Sequence, residues 1–292
     1  MSATFPHPFS SISVLIRTYN SANTLPELFK RLSLAKGDEI IVVDSGSTDE
    51  TLAIASSIGA HIVHTARPFN FSRSLNDGFA KASNPWVFVI SSHCIPPDNS
   101  IMTTIRRYAD SAPADLCVAY GRAVLDITPG KIDKSSIGGL SEWRNGMFYG
   151  RGNGIALYRK TAWQLYKFDE TLKTAEDLDW LTWAVNHGLL AGIMGDVQVL
   201  YRNNGSFRHM FSKGWRDTIY GLNAGHGSPT HALGAIASLG IASAHFLKLT
   251  ICGKMPFSNS IRLMSHALGA CLASLVYRKK RGASSQSGAD SA

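Results

Sequence analysis

The chain has 292 residues, 45% hydrophobic and 17% charged, a balance that suits one large core or two modest ones and excludes a disordered chain. Its four cysteines, Cys94, Cys117, Cys252 and Cys271, stand far apart with no C-x-x-C pair, which excludes a zinc ribbon or a disulfide framework and favours a reducing compartment. The formal charge of +8 is unevenly placed: residues 1–204 carry 19 basic and 19 acidic side chains, whereas residues 205–292 carry 10 and 2.

In chain order, "MSATFPHPFSS" lacks both a basic n-region and an apolar h-region, so no secretory signal is expected and the protein is placed in the cytoplasm. "SISVLIRTYN", "DEIIVVDSGS", "AHIVHT" and "WVFVIS" are short runs rich in Val and Ile, each followed by turn residues and then a helical pattern. That alternation predicts an α/β fold with a mostly parallel central sheet and flanking helices. Between the second and third runs, "STDETLAIASSIG" predicts a helix opened by a capping box from Ser47 to Glu50 and stopped at Gly59. Near residue 115 the rhythm changes. "FYGRGNGIALYRK" then sets Gly150, Gly152 and Gly154 before a further strand, where bare backbone can approach a ligand. "AEDLDWLTWAVNHG" predicts a helix closing on Gly188. Trp143 and Trp180 are candidates for stacking on a ligand, against their ordinary reading as core.

The basic excess lies in the last stretch. "HALGAIASLGIASAHFLKLTIC" is apolar but interrupted by His245 and Lys248, short of a membrane span of about 20 residues. With "RLMSHALGACLASLVYRKKR" it predicts a C-terminal helical extension on an anionic membrane surface, peripheral to the inner face of the cell membrane. The competing reading packs both helices on the catalytic body or on a second subunit, as in a homo-oligomer. Nucleic acid is not expected as a partner, because the basic residues are not interleaved with stacking aromatics. The expected division is a catalytic domain over 1–225, a basic and apolar helical extension over 226–282, and a disordered tail over 283–292.

Ligands of an open parallel sheet bind at the carboxyl ends of its strands, here Thr18-Tyr19-Asn20, Asp44-Ser45-Gly46-Ser47 and Ser91-Ser92-His93. No G-x-G-x-x-G follows the first strand, which argues against a dinucleotide-dependent dehydrogenase. A carboxylate at Asp44 can accept from a base N–H or a ribose hydroxyl, or it can cap its own loop.

Four segments together, "SVLIRTYNSANTLPELFKRL", "EIIVVDSGSTDETLAIA", "FNFSRSLNDGFAKASNPWVFVISSHC" and "AEDLDW", resemble the family 2 glycosyltransferases, over roughly residues 11–225. The resemblance implies the Rossmann-like GT-A fold and a nucleotide-diphospho-sugar donor held across the strand ends. Thr18, Tyr19 and Asn20 would lie near base and ribose, Asp44 and its neighbour Ser45 on the base, and Arg73 and Asn76 near the nucleotide. Gly152 and Asn153 would lie beneath the donor sugar.

In that family the fourth strand ends in an Asp-x-Asp motif that helps hold a divalent metal; this chain reads Ser91-Ser92-His93, similar to an Asp-x-His variant that has lost its acid. His93 is the implied metal ligand, and His209, in "NNGSFRHMF", stands where relatives supply a late histidine. Imidazole donors favour manganese over magnesium. If no metal binds, Arg73, Arg208 or His209 could neutralise the diphosphate by charge alone.

The resemblance assigns Glu176 and Asp177 to catalysis, with Asp177 deprotonating the acceptor hydroxyl. At a helix start Asp177 is expected to stay ionised, while Asp179 points to another face as a structural group or a partner for an Arg. The implied activity is an inverting transfer onto a glycan or lipid-linked acceptor, in cell-surface polysaccharide or glycolipid assembly. The alternative is a catalytically silent sugar-nucleotide-binding protein of the same fold.

Overall fold

In the computed structural model the described residues are 10–124, 133–148 and 152–202, with Phe211 and Leu268 as single positions. The chain divides into two compact units, Met1–Asn203 and Asn204–Ala292, and every element below belongs to the first. The predicted C-terminal helices over 226–282 lie outside the described residues, apart from Leu268.

Elements run β1 (Ile12–Thr18), α1 (Leu25–Arg31), β2 (Glu39–Asp44), α2 (Thr51–Ser57), β3 (His61–His64), α3 (Phe71–Lys81) and β4 (Trp86–Ser91). They continue with β5 (Cys94–Ile95), α4 (Ile101–Asp110), β6 (Leu116–Val124), β7 (Ser136–Gly138) and α5 (Leu140–Arg144). β8 (Ile155–Arg159), α6 (Lys160–Leu165), α7 (Glu176–Asn186) and β9 (Leu190–Tyr201) complete the unit. The sheet order is β3-β2-β1-β4-β8-β6-β9-β5, with β7 also on β9. The four strands read from the Val/Ile runs pair in parallel as β3-β2-β1-β4. β8 then inserts antiparallel between β4 and β6, so residues before β8 arrive at the edge where β4 ends.

Strand alternation divides the core into two layers. Val14, Ile16, Ile40, Val42, Phe88 and Ile90 pack with α1, α2 and α4. Leu15, Ile41, Val43, Val87 and Val89 pack with α3, α6 and α7, where Phe79, Trp163, Phe168 and Trp180 form an aromatic block around Tyr158. Each fully buried aliphatic or aromatic side chain contributes about 1.5–3 kcal/mol, so these layers dominate the stability. α3 sits unusually close to the sheet at Gly78, where a Cβ would come 2.8 Å from Leu15 Cγ and 2.9 Å from Val43 Cγ2.

Gly59 (φ +73°) and Gly188 (φ +80°) follow α2 and α7 in left-handed conformation, as the sequence predicts. The capping box does not form. Glu50 occupies the N-cap without a side-chain cap, because Ser47 gives its hydroxyl to Asp44 Oδ2 at 2.5 Å and its N–H to Asp44 Oδ1 at 2.8 Å. No helix among the described residues is long and apolar enough to cross a membrane.

Candidate active site

The loops after β1 and β2 are joined through one carboxylate. Asp44 is fully buried and accepts from Thr18 Oγ1 (2.9 Å), Ser47 Oγ, and the N–H groups of Gly46 and Ser47 (2.8 Å each). Burial raises its pKa, but the hydrogen bonds from Ser47, Thr18 and Gly46 outweigh that and hold it below the ordinary aspartate value. Asp44 therefore caps its own loop, one of the two roles open from the sequence. Ser45 N–H donates to Thr18 O (3.0 Å). Asn20, at φ 47°, donates its N–H to Ser47 Oγ and accepts from Thr48 N–H, both at 2.8 Å. Ser92 shares a 2.8 Å hydrogen bond with Ser21. Thr18, Asn20, Asp44 and Ser92 thus build a stiff edge, from which the ring of Tyr19 projects, 62% exposed.

Asn76 makes four hydrogen bonds inside the protein. Its Nδ2 donates to Phe168 O and Glu170 Oε1, and its Oδ1 accepts from Trp163 Nε1 and Phe168 N–H. Arg73 Nε donates to Glu170 Oε2 (3.0 Å), and the N-cap residue Asn70 donates to Glu170 O and Leu172 O. The polar face of α3 therefore fastens the 168–172 segment, which leads into α7, and brings Arg73 and Asn76 to that segment.

At the carboxyl edge, β4, β8 and α7 meet. Ser91 N–H donates to Gly154 O (3.0 Å), aligning the 152–154 loop with the end of β4. Asn153 then links both acids of α7: its N–H donates to Asp177 Oδ2 (3.0 Å) and its Nδ2 to Glu176 Oε1 (3.2 Å). Its Oδ1 accepts from Tyr158 (2.7 Å). Gly152 leaves room for Asp177, since a Cβ there would press directly on Oδ2. Leu178 N–H donates to Asp177 Oδ1 (2.9 Å). Arg17, from β1, lies 3.5 Å from Glu176 Oε1. Gly150 lies outside the described residues.

Ala175, immediately before the pair, is left-handed (φ 61°), a conformation that costs a non-glycine residue about 1–2 kcal/mol. Asp177 is pushed up to about 6 by burial and by the neighbouring Glu176 charge, which outweigh the N–H groups of Asn153 and Leu178 and the charge of Arg17. Asp177 therefore remains ionised at neutral pH, as expected at a helix start, with a pKa raised above the ordinary aspartate value. A carboxylate poised near neutral pH is suited to proton transfer.

His93 lies with its ring edge-on to Tyr201 (4.7 Å), and its carbonyl accepts from Arg202 N–H (2.7 Å). Ser91 and Ser92 bring no acid to it, and no group of three His, Cys, Asp or Glu that could hold a metal occurs among the described residues. This donor set does not by itself fit a metal site; His209 lies outside the described residues.

Trp143 and Trp180 are core residues: Trp180 is fully buried with Nε1 on Tyr166 O, and Trp143 packs against Phe148. Asp179 accepts from Tyr166 Oη (3.3 Å) rather than from an arginine. Arg17, Glu170 and Tyr158 were not singled out as site residues. A basic residue inside the apolar run "SVLIRTYN" was the available signal, because a buried guanidinium requires a carboxylate.

A parallel half-sheet completed by an antiparallel strand, with an acidic helix start at its carboxyl edge, is the GT-A arrangement. The model of the family described as "Glycosyl transferase family 2" matches residues 13–164, and the chain belongs to that family. A TPR repeat-containing protein of Synechococcus elongatus is 32% identical over 83 residues, 28% of this chain and 20% of that one. An undecaprenyl-phosphate 4-deoxy-4-formamido-L-arabinose transferase of Pseudomonas aeruginosa is 29% identical over 115 residues, 36% and 34% of the two chains. The chain thus spans a fifth to a third of the length of these curated relatives. In fold it is similar to the mannosyltransferase PcManGT from Pyrobaculum calidifontis, solved with GDP-Man and Mn2+ (TM-score 0.61, 14% identity, covering 94% and 88%). It is also similar to S. aureus TarS (TM-score 0.54, 17% identity, covering 69% and 64%).

Proposed function

We propose that this protein is an inverting glycosyltransferase that moves a sugar from a nucleotide-diphospho-sugar to an acceptor hydroxyl. The observation that carries the reading is Asp177. Its carboxylate is anchored by Asn153 N–H at the carboxyl edge of the sheet and has its pKa raised to about 6. Asp177 takes the acceptor proton as the hydroxyl oxygen attacks the anomeric carbon. The bond from that carbon to the diphosphate oxygen breaks with its electron pair, the nucleoside diphosphate leaves, and a single displacement inverts the anomeric centre. The exposed ring of Tyr19, beside the buried Asp44 hub, would lie near the base and ribose.

A lipid-linked or glycan acceptor is supported by the undecaprenyl-phosphate relative and by the basic excess after residue 204, which suits an anionic membrane surface. The test is incubation with GDP-Man, UDP-GlcNAc and further nucleotide sugars, scoring nucleoside diphosphate release and product anomer. Release with inversion supports the reading. Tight binding with no release across the panel favours the silent binder, which the replacement of the strand-end acid by Ser91 would suit.

A further inference from the structure

The carboxylate pair does not stand alone. Arg17 is the last-but-one residue of β1, with its side chain 16% exposed, and its Nη1 lies 3.5 Å from Glu176 Oε1. That nitrogen is buried and completes no hydrogen bond, so the contact is one of charge. Its guanidinium also lies over the Phe71 ring of α3, 5.5 Å from the centroid. Glu176 Oε1 is at the same time the acceptor for Asn153 Nδ2, and Asn153 N–H holds Asp177 Oδ2. One chain of contacts therefore runs from β1 through Glu176 and Asn153 to the carboxylate assigned to the proton transfer.

We propose that Arg17 is a positioning residue for that step, fixing the Glu176 side chain so that Asn153 is oriented and Asp177 is held in place. The inference rests on the transferase reading for its kinetic consequence but not for its structural one. Burying Glu176 without a cation would be costly, and a displaced Glu176 would leave Asn153 Nδ2 without its acceptor while Oδ1 is held by Tyr158. Among the described residues, the titratable groups that act on Asp177 are Glu176 on its own helix, Arg17 from β1, Tyr120 from β6 and Tyr158 from β8. The two tyrosines are buried and pushed well above the ordinary phenol range, so they stay neutral. Glu176 and Arg17 are then the two charges in this set, and Arg17 is the cation.

The test compares the full chain with Arg17→Met and Arg17→Lys, first by isotope-edited NMR of the aspartate carboxyl carbons and then by turnover. Arg17→Met is expected to raise the Asp177 titration midpoint by about half a unit or more, and Arg17→Lys to restore most of the difference. In turnover, Arg17→Met should lower kcat about tenfold or more, with donor KM changed less than about threefold and the acid limb moved upward. An unchanged Asp177 midpoint in folded Arg17→Met overturns the proposal, whatever the activity. If Arg17→Met does not fold, the pair Glu176→Gln and Arg17→Met/Glu176→Gln decides the matter. Because Arg17 also acts on Asp177 directly by charge, the readout for this pair is the Asn153 side-chain amide resonance: the double variant should match Glu176→Gln alone if Arg17 acts through Glu176, and a further displacement overturns that route. A wild type that shows the expected titration but releases no diphosphate from any donor removes the transferase reading instead.

Discussion

The backbone N–H of Asn153 donates to Asp177 Oδ2 at 3.0 Å, which makes the loop before β8 and the first turn of α7 one unit at the sheet edge. Gly152 permits that approach, because a Cβ at its position would meet the same oxygen. Gly152→Ala must displace the carboxylate or the loop, and misplacement of a reacting group by about 1 Å costs on the order of 100-fold in rate. The expected result is that loss in kcat, with nucleotide affinity close to wild type. Normal turnover by Gly152→Ala would remove Asp177 from the base role.

Asp177 acts as a base only when ionised, so with its pKa near 6 activity should fall as pH drops through about 6, close to tenfold per unit below it. Asp177→Asn, which cannot take the proton, should lose about 100-fold or more while still binding nucleotide. The negative charge of Glu176 is among the causes of the raised value, so Glu176→Gln should move the acid limb of kcat/KM to lower pH. An acid limb that moves up or stays fixed in Glu176→Gln contradicts the electrostatic account.

Asp44 supplies a stability prediction with a definite sign. Its folded pKa lies below its unfolded value, so its contribution is fully present above the unfolded pKa and is lost as pH falls through the folded one. Four donors converge on it. Asp44→Ala should therefore cost about 3 kcal/mol or more at pH 7, and the gap to wild type should narrow in acid. Urea unfolding at pH 7 and pH 3 measures both values; a gap independent of pH refutes the ionised hub.

Gly78 tests the packing of α3. A Cβ there would enter the space of Leu15 and Val43, both fully buried on neighbouring strands. Although alanine is the better helix former by about 1 kcal/mol, overpacking costs about 1–3 kcal/mol. Gly78→Ala should lower the unfolding midpoint, and an increase would mean that α3 lies further from the sheet.

The strands were legible because β1, β2 and β4 are buried on both faces and so read as unbroken apolar runs, and the glycines after α2 and α7 marked their ends. Hydroxyl and amide allegiances were harder to read. Ser47 fits a capping box by spacing, yet a buried carboxylate three residues earlier is the stronger acceptor and takes its hydroxyl. For Asn76 the sequence offers only the resemblance, whereas the folded chain brings Trp163, Phe168 and Glu170, distant in sequence, around its amide. For Asp177 the sequence shows a helix start, whereas the folded chain adds burial and the influence of Glu176, which reverse the expected shift. The basic tail, His209 and, apart from Leu268, the helices predicted over 226–282 lie outside the described residues.

The end of β4 yields the last prediction. Ser91 pairs in register with Arg17 on the neighbouring parallel strand, so both side chains lie on one face of the sheet, and a serine stands here where the resembled motif carries an acid. No group of three ligating side chains occurs among the described residues, so manganese titrated into the protein without donor should show little affinity, and oxygens of the donor diphosphate should be needed to complete a site. Turnover should then fall with excess EDTA and recover better with manganese than with magnesium. Ser91→Asp restores a carboxylate and should tighten manganese binding in the donor-free protein; His93→Ala in that background should reverse the gain. Full activity in excess EDTA would drop the metal and leave the diphosphate to be met by cationic side chains. If Ser91→Asp gains no affinity, the end of β4 does not hold the ion and the metal reading of His93 is dropped.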